Sequence, residues 1–221
     1  MSEMGPYEAP AREPRAWGWS SAWLIGVTQP NVSSYESLAE DPSASVAKGY
    51  LWVFISALLA YGIAGLLQLT LLPGLLASLG DQANLPNMPA LPLILLLCLV
   101  PVSALVAPLG LMLAAAMQQF VAGAFGGQGS FTRLFYVMSA YTAPLTLGTT
   151  LLGLIPFVGA CLTLPLALYT LGLNALAVKS VNRFGWGSAI ASMLIPVVLL
   201  VLVFVVLFLA FVLPVLGNLN P

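Results

Sequence analysis

The sequence predicts an all-α membrane protein: a bundle of five transmembrane helices preceded by an N-terminal interfacial amphipathic segment. Three observations carry this expectation. Hydrophobic residues make up 60% of the 221 and charged residues only 6%, at a mean hydropathy of +1.02, whereas a soluble domain carries about 25% charged residues. So few charges cannot cover a water-facing surface, and most of the chain must face lipid or other helices. Past Lys48 the only charged residues are Asp81, Arg133, Lys179 and Arg183, all in breaks between long apolar runs. In a five-span reading the cations share one side of the membrane with Arg12, Arg15 and Lys48, and Asp81 takes the other.

Residues 1–15 hold three Glu, two Arg and three Pro with no apolar core, which predicts a disordered cytoplasmic start and no signal peptide. Residues 16–48 read as the interfacial segment. Trp17, Trp19 and Trp23, with Leu24, Ile25 and Val27, form a stretch too short to span, and indoles so close together suit the headgroup layer. As an interfacial anchor they would orient the first span; a partner-binding peptide is the alternative. Val32, Tyr35 and Leu38 recur at i, i+3, i+6, as in a short helix lying on the membrane, before Asp41-Pro42 breaks it. Ser43 or Ser45 can cap the first span.

That span is expected over 49–72, long enough to cross roughly 30 Å of hydrocarbon. A break at 73–90 leads to the second span at 91–122, where Pro101 and Pro108 predict a kink or tilt. The glycine-rich loop 123–130 closes it. The third span, 134–155, and the fourth, 157–178, form a hairpin around Gly153, Pro156 and Gly159. A polar break at 179–187 leads to the last span, 188–213, and an uncharged external tail at 214–221. Reading 134–178 as one helix would give four spans, but it would have to run through Pro156 between glycines. Five spans put all six cations on one side, which makes the N-terminus cytoplasmic and the C-terminus external.

The order of landmarks resembles a known family. Trp23, Pro30, Tyr35, Leu38 and Pro42 precede the first span. Phe125-Gly-Gly-Gln-Gly-Ser-Phe131 precedes a span containing Ala140-Tyr-Thr-Ala-Pro144, followed by a hairpin and a polar break. Over residues 20–213 this resembles the Yip1-domain family of five-span membrane proteins, in its bacterial form, and so implies a prokaryotic plasma membrane. Eukaryotic members are membrane adaptors in vesicle traffic that bind Rab-type GTPases and one another. The cytoplasmic segment here lacks their Asp-Leu-Tyr-Gly-Pro type motif, so the resemblance carries over architecture and not GTPase binding.

Several functions are excluded or disfavoured by what is missing. With no His, imidazole bases and His metal sites are absent, and a net charge of −1 argues against a nucleic-acid partner. Gly126, Gly127 and Gly129 are not followed by the Gly-Lys-Ser/Thr of a phosphate loop. The chain is therefore expected to be no enzyme and to need no cofactor or metal. Its partners would be membrane lipids and, in a larger complex or homo-oligomer, another protein chain. Glu36, Glu40 and Asp41 form an acidic cluster expected on a solvated face, pairing with Arg133, Lys179 or Arg183. These six residues are the candidate cytoplasmic interface, and the three cations alone could hold an anionic lipid headgroup. Asn174, polar within the fourth span, is expected to hydrogen-bond a neighbouring helix, the alternative being the wall of a substrate path. Cys98 and Cys161 are expected as buried free thiols, a disulfide between them being the alternative. The leading reading is a scaffold or accessory subunit. A channel, small-molecule transporter or lipid-handling protein, using the proline-kinked helices, is the alternative.

Overall fold

The computed structural model describes residues 16–79, 91–155 and 157–217, and these are all-helical with no strand among them. In order they form α1 (Trp19–Thr28), α2 (Val32–Ala39), α3 (Val46–Leu79), α4 (Leu91–Ala124), α5 (Phe131–Gly153), α6 (Val158–Asn182) and α7 (Trp186–Gly217). Residues 1–15, Asp81 and the rest of 80–90, Pro156 and 218–221 lie outside the described residues.

Long apolar stretches become helices because a backbone in hydrocarbon must bond to itself. The same constraint moves the boundaries outward. Ser45 caps α3, its Oγ accepting from the Lys48 N–H at 3.2 Å, so this helix begins at Val46 rather than 49. It then continues past Pro73 to Leu79, where a break had been expected. Without competing water, a helix passes a proline at the loss of one hydrogen bond, and Pro101, Pro108, Pro144 and Pro165 are likewise inside helices. The last helix reaches Gly217, beyond the expected end at 213.

Among the described residues four helices are long and apolar enough to cross a membrane, over Val46–Leu69, Leu96–Ala124, Leu164–Asn182 and Trp186–Ala210. The 23-residue α5 is not among them, and its surroundings explain why. Every residue from Leu134 to Tyr141 is buried, with α3, α4, α6 and α1 packed around it. The enclosed first half can carry Tyr136, Ser139 and Tyr141, because neighbours rather than lipid meet them, while beyond it Thr146 and Thr149 donate to the carbonyls of Thr142 and Leu145 in their own helix. At the opposite extreme, α7 packs on α4 and α6, with Ala189, Ser192 and Met193 buried, whereas each residue from Val197 to Ala210 is exposed. An apolar helix bare on all sides belongs in lipid.

The short helices α1 and α2 form a strap across the bundle. Asn31 caps α2 by accepting from the Ser34 N–H at 2.8 Å. Tyr35 and Leu38, expected to meet the membrane surface, are fully buried instead, with α2 lying against α6 and α5. Each such side chain contributes about 1.5–3 kcal/mol when removed from water. The Tyr35 hydroxyl donates to the Gly26 carbonyl at 2.6 Å, and Tyr169 of α6 donates to the Val27 carbonyl. Gly26 is where α1 meets α5: a Cβ there would lie 3.1 Å from the Ala140 carbonyl carbon and oxygen.

Candidate functional site: a polar joint at one end of the bundle

The chain leaves α2 at Asp41-Pro42, and this corner is the joint between strap and bundle. Asp41 is only 5% exposed. Its Oδ2 accepts from the Tyr136 hydroxyl at 2.5 Å and the Trp17 N–H at 3.2 Å. Its Oδ1 accepts from the Ser43 N–H at 2.8 Å and the Ser43 hydroxyl at 2.7 Å. Lys48, in the first turn of α3, places Nζ 3.6 Å from Oδ2. Burial pushes the Asp41 carboxyl up, but the hydrogen bonds from Tyr136, Ser43 and Trp17 outweigh it and hold the group below its ordinary value. Asp41 is therefore an anion with its lone pairs occupied, which suits it to fasten chain segments together and unsuits it as a general base.

The Lys48 ammonium completes the joint. It donates to the Trp17 carbonyl at 2.9 Å and to Ser43 Oγ at 2.7 Å. It also lies over the rings of Trp52 and Tyr136, 5.3 Å and 5.2 Å from their centroids. Trp52 is fully buried and is the aromatic hub, with Trp19 and Trp23 edge-on to it and Tyr136 tilted against it at 4.9 Å. The Nε1 atoms of Trp23 and Trp52 and the Ser56 Oγ, one turn beyond Trp52, are buried without a hydrogen-bond partner.

Beside the joint, Arg183 forms an ion pair with Glu40, both about half exposed. Arg183 itself is the left-handed cap of α6, at φ 54°. Lys179 lies over the exposed Trp186 ring at 5.3 Å. Arg133 is exposed in the first turn of α5, and half-buried Glu36 makes no ion pair among the described residues. The acidic cluster thus splits: Glu40 has the expected arginine partner on an exposed surface, whereas Asp41 is buried, because four donors and an ammonium offset its desolvation.

A second polar knot lies at the same end, where the glycine-rich loop meets α6. Asn182 is fully buried. Its Oδ1 accepts from Gln119 Nε2 at 2.9 Å and from the Gly129 N–H at 3.2 Å. Its Nδ2 donates to the Val178 carbonyl at 3.0 Å and to Gln119 Oε1 at 3.3 Å. The loop can wrap this side chain only with glycines at the contact. A Cβ on Gly127 or Gly129 would stand 2.6 or 2.7 Å from Asn182 Oδ1, and Gly126 turns the chain at φ 80°. Asn182 thereby makes the interhelical contact expected of Asn174, whose own Oδ1 is buried without a partner. A mid-helix amide on α6 meets apolar neighbours; one at the helix end meets a loop with free backbone groups.

Of the proposed anchors, Trp17 donates its indole N–H to the Ser37 carbonyl at 3.2 Å, half-buried Trp23 packs on Trp52, and Trp19 is partly exposed. Cys98 and Cys161 are free as expected, but exposed rather than buried. Sequence reasoning missed Lys48, Ser43, Trp52, Tyr136 and Asn182 as a set. Asp41-Pro42-Ser43 followed by Lys48 at the start of an apolar run was the available signal, since a short side chain ahead of a helix tends to bond backbone nearby. Among the described residues no group of three His, Cys, Asp or Glu could hold a metal.

No curated protein and no solved structure matches the chain. The Yip1 domain matches it over residues 25–208, a stretch running from α1 through most of α7 and containing the Asn182 knot and, apart from Trp17 and its neighbours Trp19 and Trp23, the joint around Asp41. An all-helical bundle carrying that domain over most of its length belongs to the Yip1-domain family.

Proposed function

We propose that the protein is a non-enzymatic scaffold or accessory subunit of a prokaryotic plasma membrane, recognising a partner through the charged end of its bundle. It crosses the membrane five times, with its N-terminus cytoplasmic and its C-terminus outside. The observation that carries this reading is the segregation of function-bearing groups. Asp41, Lys48, Glu40, Arg183, Gln119 and Asn182 engage one another at one end. Between the helix ends the spans contain no Asp, Glu, Lys, Arg or His. An ion-coupled carrier usually places a carboxylate near the midplane, and a bundle without one is suited to packing.

Five crossings are supported by α5, whose 23 residues extend about 34 Å at 1.5 Å per residue. Its modest hydropathy matches its enclosure by other helices. On the charged end, Arg133 is exposed together with the aromatic residues Phe125 and Trp186, residue types that anchor protein interfaces. Cross-linking in native membranes, followed by purification and identification of bound chains, tests the reading. A stable stoichiometric partner cross-linked through residues at this end supports it. Solute flux in proteoliposomes by the isolated chain would overturn it in favour of a transporter.

A further inference from the structure

The joint around Lys48 has the composition of a receptor for an ammonium ion. Its Nζ is ringed by the Trp17 carbonyl at 2.9 Å, Ser43 Oγ at 2.7 Å, Asp41 Oδ2 at 3.6 Å and the faces of Trp52 and Tyr136 at 5.3 and 5.2 Å. Two acceptors, one carboxylate and two π faces match a compact cation with three donors. A planar guanidinium would be a poorer fit, because its donors lie in one plane. The walls belong to separate parts of the chain. Trp17, Asp41 and Ser43 flank the strap helices, whereas Trp52 and Tyr136 stand on α3 and α5.

We propose that this box is a recognition site for a primary alkylammonium group, filled in this structure by the chain's own Lys48, and that the strap docks while an ammonium occupies it. Emptied of cation, the box would leave the Asp41 carboxylate without its ion-pair partner and the Trp17 carbonyl without that donor. The closed strap also buries the indole N–H groups of Trp23 and Trp52 without acceptors. Water would satisfy both on opening, so the closed state carries a built-in opposing cost and the cation decides the balance. The proposal does not depend on the scaffold reading, and its test needs no partner protein.

The test uses the full chain in nanodiscs of choline-headgroup lipid, with Cys98→Ser, Cys161→Ser and Ala39→Cys. Ala39 is buried at the end of α2, so thiol labelling there reports strap opening. Lys48→Ala deletes Cγ, Cδ, Cε and Nζ, the atoms of propylammonium. Labelling should become about tenfold faster or more, as expected when one partner of a buried pair is removed. Propylammonium chloride should slow it again saturably, propanol should not, and adding Asp41→Asn should abolish the rescue. Rescue by ethanolamine-headgroup lipid in place of propylammonium supports the same site and identifies a membrane source. Unchanged labelling in Lys48→Ala, or equal effects of propylammonium and propanol, would overturn the proposal. Should Lys48→Ala not fold, acylation of the native lysine decides: Asp41→Asn should speed modification of Lys48 severalfold and leave Lys179 unchanged. Equal Lys48 rates with and without Asp41→Asn would overturn it.

Discussion

Replacing Asp41 by alanine should be among the costliest single changes at the charged end of the bundle. The substitution deletes acceptors for the Tyr136 hydroxyl, both Ser43 donors and the Trp17 N–H, and removes the counter-ion of Lys48. Tyr136 is fully buried, and its orphaned hydroxyl alone costs about 1–3 kcal/mol. The side chain of Lys48 is only 17% exposed, and breaking a buried pair by removing one partner costs about 3–5 kcal/mol. These losses share the same groups and do not add, so about 3–5 kcal/mol is the expected total. The neighbouring Glu40→Ala breaks an ion pair whose side chains are 50% and 56% exposed, worth about 1 kcal/mol or less after solvent screening. Unfolding of each purified variant in mixed micelles with increasing anionic detergent, followed by tryptophan fluorescence, gives both values on one scale. Equal losses for Asp41→Ala and Glu40→Ala would refute the claim that burial and shared hydrogen bonds make Asp41 the fastening point.

Other expectations follow from the same geometry. Because the folded Asp41 carboxyl lies below its ordinary value of 3.8, its stabilisation is fully present above that value and is lost as pH falls through the folded one. Strap opening, read as labelling at position 39 divided by that of the same thiol in the unfolded chain at each pH so that the thiolate fraction cancels, should therefore be flat from pH 5 to 8 and rise only in stronger acid; a rise centred near neutrality would contradict the assignment. Asn182→Leu takes the acceptor from the Gly129 N–H and the donor from Gln119 Oε1, while Gln119 Nε2 keeps the Gly129 carbonyl, and should cost about 2–3 kcal/mol. Asn174→Leu, whose Oδ1 already lacks a partner, should be near neutral in the same unfolding assay. Gly129→Ala would drive a Cβ to 2.7 Å from Asn182 Oδ1 and 2.8 Å from the Val181 carbonyl oxygen, lowering thermal stability. Gly62→Ala, with open space around it, should hold or raise stability by helix propensity.

How much of this was legible in the sequence depends on which force decides each element. Burial in lipid leaves a blunt compositional signature, and the apolar runs beginning near Gly49, Leu91, Phe157 and Ser188 could be read from it directly. Their ends could not, since the helix that begins at Val46 runs on past Pro73 to Leu79. The apolar repeat of Val32, Tyr35 and Leu38 predicted a helix correctly, but periodicity cannot tell whether a stripe meets lipid or protein. Asp41 and Glu40 are adjacent and chemically alike. Only the fold reveals that one is enclosed by Tyr136, 95 residues away, while the other stays at the surface. Asn182 escaped notice for a related reason: it sits in a polar break where amides are ordinary, and its importance comes from the two glycines that close around it.

The most direct test of the account is the sidedness of the two chain ends. The apolar character of four helices and the enclosed, more polar α5 leave the membrane count resting on whether α5 crosses. Single cysteines at Ser2 and Asn220, in a chain with Cys98→Ser and Cys161→Ser, are labelled in intact cells with a membrane-impermeant thiol reagent. Five crossings with the cations inside predict immediate labelling at position 220 and labelling at position 2 only after permeabilisation. Labelling of both from the same side would give an even number of crossings, remove α5 from the membrane and contradict the proposed cytoplasmic recognition end.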